Sequence, residues 1–277
     1  MKEIINFPYS NSQITTLVLS NGRFDLLTDT IASYQYCLKY ESTNYFLFDD
    51  SADKYQQDSI KNFYGRRSNF NLYLNDEQWG QARATDFIVS KVLENCSSEF
   101  IFWLEDDWLF SDDREWINQC KEILRTDPKV VLIGMSLEPR MKPYFPSYIG
   151  IAGVPIRYHN PWRIDENHGY WNGWLGSPHL MRYEDVEALP KLTDFIAEEV
   201  LDQQYWKKQY EAGKRSIWLN RQICSHIGGG RSGFPTGDML PPTVRTWLKP
   251  HDKQSLSGPI LPKYFGVSGP DEVTNGD

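Results

Sequence analysis

The sequence predicts an α/β domain with a mostly parallel central sheet and helices on both faces. Two observations carry that expectation. Short apolar runs rich in β-branched and aromatic residues alternate with segments of helical periodicity through the first half of the chain, which is the pattern of repeated strand–helix–strand units. Three of those apolar runs also end in polar or charged residues: Asn21 and Arg23, then Asp49 and Asp50, then Glu105 to Asp107. Ligands of open α/β sheets collect beyond the carboxyl ends of the strands, so these three ends are expected to share one cleft.

The elements follow in order. "ITTLVLS" (Ile14 to Ser20), closed by Asn-Gly, reads as a buried strand. From Asp25, "DLLTDTIASYQYCLKY" sets Leu26, Thr30 or Ile31, Tyr34 and Leu38 near helical spacing, with Asp25 as the expected cap. "NYFLFDD" is a second strand, a helix is expected over Asp53 to Tyr64, and "FNLYL" is a short strand after it. "DEQWGQARATDFIVSKVLENC" carries Trp79, Ala82, Thr85 or Asp86, Val89 and Leu93 on one helical stripe. "EFIFWL" is the next strand, a helix over Asp112 to Arg125 stops at Asp-Pro, and "KVVLIGMS" is again strand.

Beyond Ser136 the rhythm changes. The stretch to Asn160, rich in Pro, Tyr and Ile, suggests a hairpin or extended excursion. "RYEDVEAL" and "DFIAEEVLDQQYWKKQYEAG" read as helices, the second capped by Gly213. Residues 231–277 are rich in Gly and Pro, with little periodicity. No internal repeat or linker demands a domain boundary.

Composition narrows the classes. Net charge is −8, and no Lys/Arg run exceeds two residues, so a broad electrostatic footprint for nucleic acid is absent. Ten Trp, sixteen Tyr and fourteen Phe suit flat binding surfaces as well as core filling. Cys37, Cys96, Cys120 and Cys224 are widely spaced, with no C-x-x-C pair, which reads as free thiols in a reducing compartment. The start of the chain lacks a signal-peptide pattern, and no apolar stretch reaches the roughly eighteen residues of a membrane span. A soluble, cytoplasmic protein is expected.

The chemistry centres on "FIFWLEDDWLF" (Phe100 to Phe110), where three carboxylates follow five residues suited to burial. Adjacent like charges at the end of a buried strand repel unless water or a cation compensates them. Carboxylate oxygens suit hard divalent cations such as Mg²⁺ or Mn²⁺. A solvated acidic turn is the plainer alternative.

Taken together, the first strand with Asn21, Gly22 and Arg23, the second ending in Asp49 and Asp50, and the small-residue helix around Gly80, Ala82, Arg83 and Ala84 leading to "FIFWLEDDW" resemble a GT-A glycosyltransferase. The pattern is similar to family-2-like members carrying Glu-Asp-Asp in place of Asp-x-Asp, and it covers Thr15 to about Gly230. The resemblance implies one catalytic domain over 1–277, with a nucleotide-binding half (1–136), an acceptor and sugar half (137–230) and a tail (231–277). It further implies a nucleoside-diphosphate sugar as donor and a Mn²⁺ or Mg²⁺ ion bridging its phosphates.

By position, the resemblance assigns the metal to Asp107, and the metal's waters or the ribose to Glu105 and Asp106. Asp49 or Asp50, with Ser20, Asn21 and Arg23, would lie at the nucleoside, and Arg83 on the helix beside it. In "YWNGWLGSPHLMRYEDV", Trp171 and Trp174 would stack on sugar faces, while Gly173 and Gly176 permit close backbone approach; a tight aromatic turn in the core is the alternative. In "FIAEEVLDQQYW" an acidic base would take the acceptor's proton, with Glu199 first, Asp202 next and Glu198 beside them. In "CSHIGGGRSG", His226 would complete the metal site and Arg231 would offset diphosphate charge.

The implied reaction is transfer of a sugar to a hydroxyl with inversion. Glycan, lipid-linked sugar, protein, small molecule and a hydroxyl-bearing modified DNA base all stay open as acceptors, the last through a groove of Arg66, Arg67, Arg140 and Lys142. A nucleotidyltransferase on a similar sheet and a non-catalytic carbohydrate-binding protein are the rival readings. The first lacks a Gly-rich, basic loop after the first strand to hold a triphosphate.

Overall fold

The computed structural model describes residues 1–5, 12–38, 43–111, 113–135, 147–148, 153–158, 178–194, 205 and 207–228. The first half supplies β1 (Lys2–Ile5), β2 (Ile14–Ser20), α1 (Phe24–Leu38), β3 (Thr43–Asp49), α2 (Lys54–Tyr64), β4 (Phe70–Leu74) and α3 (Gln81–Asn95). It continues with β5 (Phe100–Glu105), β6 (Trp108–Phe110), α4 (Trp116–Thr126) and β7 (Val130–Gly134). The second half adds β8 (Ser147–Tyr148), β9 (Ile156–Tyr158), β10 (His179–Arg182), α5 (Tyr183–Glu187), a 3₁₀ turn at Leu192–Asp194, α6 (Lys207–Glu211), β11 (Arg215–Leu219) and β12 (Cys224–His226).

Ten strands form one sheet in the order β1-β4-β3-β2-β5-β10-β7-β11-β9-β8. Its seven central strands, β4 to β11, are parallel except for β10, which runs antiparallel to both β5 and β7. Helices cover both faces, as the alternating pattern predicts. On one face Ile14 and Val18 of β2 and Phe100, Phe102 and Leu104 of β5 pack against Leu27, Ile31 and Tyr34 of α1 and Trp116, Ile117 and Cys120 of α4. On the other, Leu17, Phe46, Ile101 and Trp103 meet Ala84, Ile88 and Val92 of α3 and Val186 of α5. Strands buried on both sides favour near-continuous apolar runs, which is why "FIFWL" and "YFLF" are unbroken.

Several boundaries differ from the sequence expectation. Helix α1 begins at Phe24, and Asp25 lies in its first turn rather than capping it. The Arg23 carbonyl accepts the first helical bond from Leu27 N, and Gln56 Oε1 of α2 accepts from Phe24 N at 3.2 Å. Helix α3 begins at Gln81, not Asp76, because Gly80 adopts φ 83°, a left-handed conformation that ends helical continuity and suits glycine alone. Helix α4 begins at Trp116, after Asp113 Oδ1 accepts from Glu115 N at 2.9 Å.

Strand β10 is absent from the sequence reading. Its four residues are too few to show a period, and Arg182, expected inside a helix, is instead the last residue of that strand. Among the described residues the three-residue strands β6 and β12 pair only with each other, and they escape for the same reason. The segment "FIAEEVLDQQY" lies outside the described residues up to Gln204, but its end is seen. Gly213 has φ 85°, and Lys214 N donates to Gln209 O at 2.9 Å, the six-to-one bond of a Schellman cap. All four cysteines are free, with Cys37, Cys120 and Cys224 buried. Among the described residues no helix is long and apolar enough to cross a membrane.

Candidate active site at the crossover between β2 and β5

Strand order reverses at β2. The chain steps outward from β2 to β3 and β4, then returns to place β5 on the other side of β2. The loops after β2 and β5 therefore emerge side by side at the carboxyl ends of neighbouring parallel strands, where open α/β sheets bind ligands. Residues Asn21 to Arg23 come from one loop and Asp106 and Asp107 from the other.

Arg23 joins the two loops. Its Nε donates to Asp106 Oδ2 at 3.3 Å, its Nη2 donates to Asp106 Oδ1, and its Nη1 donates to Asp107 Oδ2 at 2.7 Å. Asp106 Oδ2 also accepts from Ser20 Oγ at 3.1 Å and Asn21 N at 3.0 Å. With 1% of Asp106 exposed, its carboxylate is a pin between strand ends. Burial pushes Asp106 upward and Arg23 opposes that. Four donors on two oxygens, two of them from a guanidinium, make the ionised pair the state that this geometry supports. For Arg23, the attraction of both carboxylates overcomes burial and raises its pKa further.

Thr30, inside α1, holds the turn that carries the acids. Its hydroxyl donates to Asp106 O at 3.0 Å and accepts from Trp108 N at 2.9 Å. The sequence marks Thr30 only as one of two candidates for a buried helical position, and nothing there signals this contact.

Asp107 meets the far end of the described chain. His226 Nε2 lies 3.0 Å from Asp107 Oδ2, brought there because β12 pairs with β6 and sets His226 opposite Trp108. Ile227 N donates to Asp107 O at 2.8 Å. Gly228 then packs on the carboxylate itself: a Cβ there would stand 2.9 Å from Asp107 Cβ and Cγ, closer than any real side chain sits. At Gly228 the glycine run serves close approach. Burial pushes the Asp107 carboxyl up, but His226 and Arg23 outweigh it and hold it below the usual carboxylate value.

Asp49 and Asp50 sit one strand over, both buried. Asp49 accepts from Gly22 N at 2.9 Å and from Ser51 Oγ and N, so it shapes the loop after β2. Asp50 accepts from Asn75 Nδ2 at 2.9 Å, Trp79 N at 2.9 Å and Gly80 N at 2.7 Å, and so fixes the entry to α3. Burial raises Asp50 despite those donors. Arg83 lies 4.1 Å over the Trp79 ring. Glu105, half-buried, accepts from Gln81 Nε2 at 3.3 Å and Trp108 Nε1 at 3.4 Å. Ser20, Asn21, Arg23, Asp49, Asp50, Arg83 and Glu105 to Asp107 thus share one end of the sheet.

Other expected residues stand apart. Arg66 and Arg67 precede β4, at the amino ends of the parallel strands and away from the acids, and Arg67 stacks on Phe63, Tyr64 and Phe70. Trp171, Gly173, Trp174, Gly176, Glu198, Glu199, Asp202, Arg231, Arg140 and Lys142 lie outside the described residues.

No family profile and no curated protein matches this chain. Among solved structures, it is similar to the mannosyltransferase PcManGT from Pyrobaculum calidifontis in complex with GDP-Man and Mn²⁺, with TM-score 0.54 and 15% identity over 82% of this chain. The fold is GT-A. The match spans 60% of the mannosyltransferase chain. A second match is S. aureus TarS 1-349 in complex with UDP-GlcNAc, at TM-score 0.49 and 12% identity, covering 92% of this chain and 72% of that one.

A Mn²⁺ or Mg²⁺ ion would make modest demands on the site in this GT-A fold. Hard cations of this kind take few protein ligands and leave places for water and phosphate oxygens. Asp107 Oδ2 and His226 Nε2, 3.0 Å apart, match the edge of about 3 Å expected for an octahedron with ~2.1 Å bonds. Among the described residues no group of three His, Cys, Asp or Glu side chains is placed for a metal. A carboxylate and an imidazole at this spacing still fit the ion's chemistry.

Proposed function

We propose that the protein is a metal-dependent glycosyltransferase that moves a sugar from a nucleoside-diphosphate sugar to an acceptor hydroxyl. The observation that carries this reading is the meeting of Asp107 and His226 at 3.0 Å, across 119 positions of sequence, beside the crossover of a GT-A sheet. The mannosyltransferase of similar fold, in complex with GDP-Man and Mn²⁺, supports a donor and a cation of the same classes.

In this reading Asp107 and His226 hold Mn²⁺ or Mg²⁺. When bound, the ion stabilises charge on the departing nucleoside diphosphate. The loop from Ser20 to Arg23 lines the donor pocket, with Glu105 exposed enough to meet ribose or metal-bound water. Trp171 and Trp174 flank the sugar, and Gly173 lets backbone approach it. Arg231 faces the diphosphate. A carboxylate of the Glu198 to Asp202 segment, Glu199 first and Asp202 or Glu198 beside it, takes the acceptor's proton as the hydroxyl oxygen attacks the anomeric carbon. Attack opposite the leaving group inverts that centre.

The test is a thermal-shift panel of UDP-, GDP-, dTDP-, ADP- and CMP-linked sugars with Mn²⁺, Mg²⁺ or EDTA. Ligand at a hundred times its Kd adds about 2.7 kcal/mol of stability, so one nucleotide class should raise Tm, and only with metal. Release of nucleoside diphosphate rather than pyrophosphate separates sugar transfer from nucleotidyl transfer. If no nucleotide shifts Tm with or without metal, the reading falls.

Gly228→Ala should weaken Mn²⁺ binding by about tenfold, because the added methyl displaces the Asp107 carboxylate it would strike. Calorimetric titration with Mn²⁺ reads this directly, and unchanged affinity would refute the packing argument.

A further inference from the structure

Arg23 and a divalent cation want the same oxygen. Asp107 Oδ2 accepts from Arg23 Nη1 at 2.7 Å and faces His226 Nε2 at 3.0 Å. A cation seated between Asp107 and His226 must draw on that oxygen's lone pairs, while the guanidinium already neutralises the carboxylate. Arg23 is not a loose neighbour. Asp106 grips its Nε and Nη2 in a fork, and Asp106 is itself fixed by Ser20 and Asn21 N. The third nitrogen, Nη1, is thereby aimed at Asp107 before any ligand arrives.

We infer that Arg23 is a built-in competitor of the cation at Asp107, and that its Nη1 turns to the donor's diphosphate when metal and nucleotide bind together. The inference rests on the cation seat proposed above. Its physical basis is charge. Asp106, Asp107 and Arg23 carry one net negative charge, which attracts free Mn²⁺ weakly. A nucleoside diphosphate brings negative charge of its own and offers Nη1 another anionic acceptor. The cation then has Asp107 to itself. Metal and nucleotide should therefore each tighten the other, by the same factor in both directions.

The experiment is calorimetric titration of the full chain with Mn²⁺ alone, then with Mn²⁺ in saturating UDP or GDP, corrected for Mn²⁺ held by free nucleotide. Arg23→Gln should bind Mn²⁺ alone about tenfold more tightly than the unchanged protein, and the gain that nucleotide confers should shrink. Removing Arg23 leaves Asp106 buried without its cation, so a second variant, Arg23→Gln with Asp106→Asn, keeps the test alive if the first does not fold. It leaves the local net charge unchanged and should still bind Mn²⁺ several-fold more tightly, because competition for Asp107 Oδ2 is gone. Equal or weaker Mn²⁺ affinity in the folded variant overturns the inference. If the unchanged protein binds Mn²⁺ with nucleotide and the variants do not differ from it, only the competition fails. If no protein binds Mn²⁺ under any condition, the cation seat fails and this inference with it.

Discussion

Asp107→Asn should lower sugar transfer by about a thousandfold or more, with Tm changed by only a few degrees. The substitution keeps the shape of the side chain, and Arg23 keeps Asp106 as its partner, so packing survives. What is lost is the negative oxygen shared by His226 and Arg23. An amide oxygen is a poor ligand for a hard cation. Losing metal stabilisation of the leaving diphosphate costs several kcal/mol of barrier, and each 1.36 kcal/mol is a factor of ten in rate. Initial rates at saturating donor and Mn²⁺, with Tm in the same buffer, check this. More than a tenth of the original rate would remove Asp107 from the mechanism.

Arg23→Gln should destabilise the protein by about 3–5 kcal/mol in metal-free buffer, the usual cost of stripping one partner from a buried ion pair. The side chain of Arg23 is 16% exposed, and those of Asp106 and Asp107 are 1% and 6% exposed, so water does little to replace the lost cation. Asp106 would keep Ser20 and Asn21 as donors but lose the guanidinium that neutralises it. Denaturation in EDTA, with Asp106→Asn and the double variant, gives the coupling energy. The double variant should recover part of the loss. A cost below about 1 kcal/mol for Arg23→Gln would mean the pair is solvated in practice.

The central sheet was legible because it is buried on both faces. A strand covered by helices on either side is nearly continuous in apolar residues, with its few polar side chains hydrogen-bonded, and "ITTLVLS", "NYFLF", "FNLYL" and "FIFWL" declare themselves without any partner in view. The position of the acids was legible for a related reason: a carboxylate run directly after such a strand has to emerge at the strand's carboxyl end. Strands of two to four residues such as β6, β10 and β12 gave no period. The starts of α1 and α3 were misplaced because Gln56 and Asp50, distant in sequence, supply the hydrogen bonds that a local cap would otherwise provide.

From residues alone came the kind of fold and the end of the sheet where the acids gather; Asp107 and His226 as holders of a metal came from the resemblance to GT-A enzymes and belong to the proposal above. The first two follow from local pattern: burial dictates apolar runs, and a carboxylate run after a buried strand emerges at its carboxyl end. Only the tertiary structure decided the division of labour within Glu-Asp-Asp. Asp106 turns inward onto Ser20, Asn21 and Arg23, Asp107 turns toward His226 and Gly228, and Glu105 stays half-exposed. Three adjacent carboxylates look alike in a chain. What separates them is which donors, from β2, α1 and β12, the crossover of the sheet brings within 3 Å or so of each oxygen.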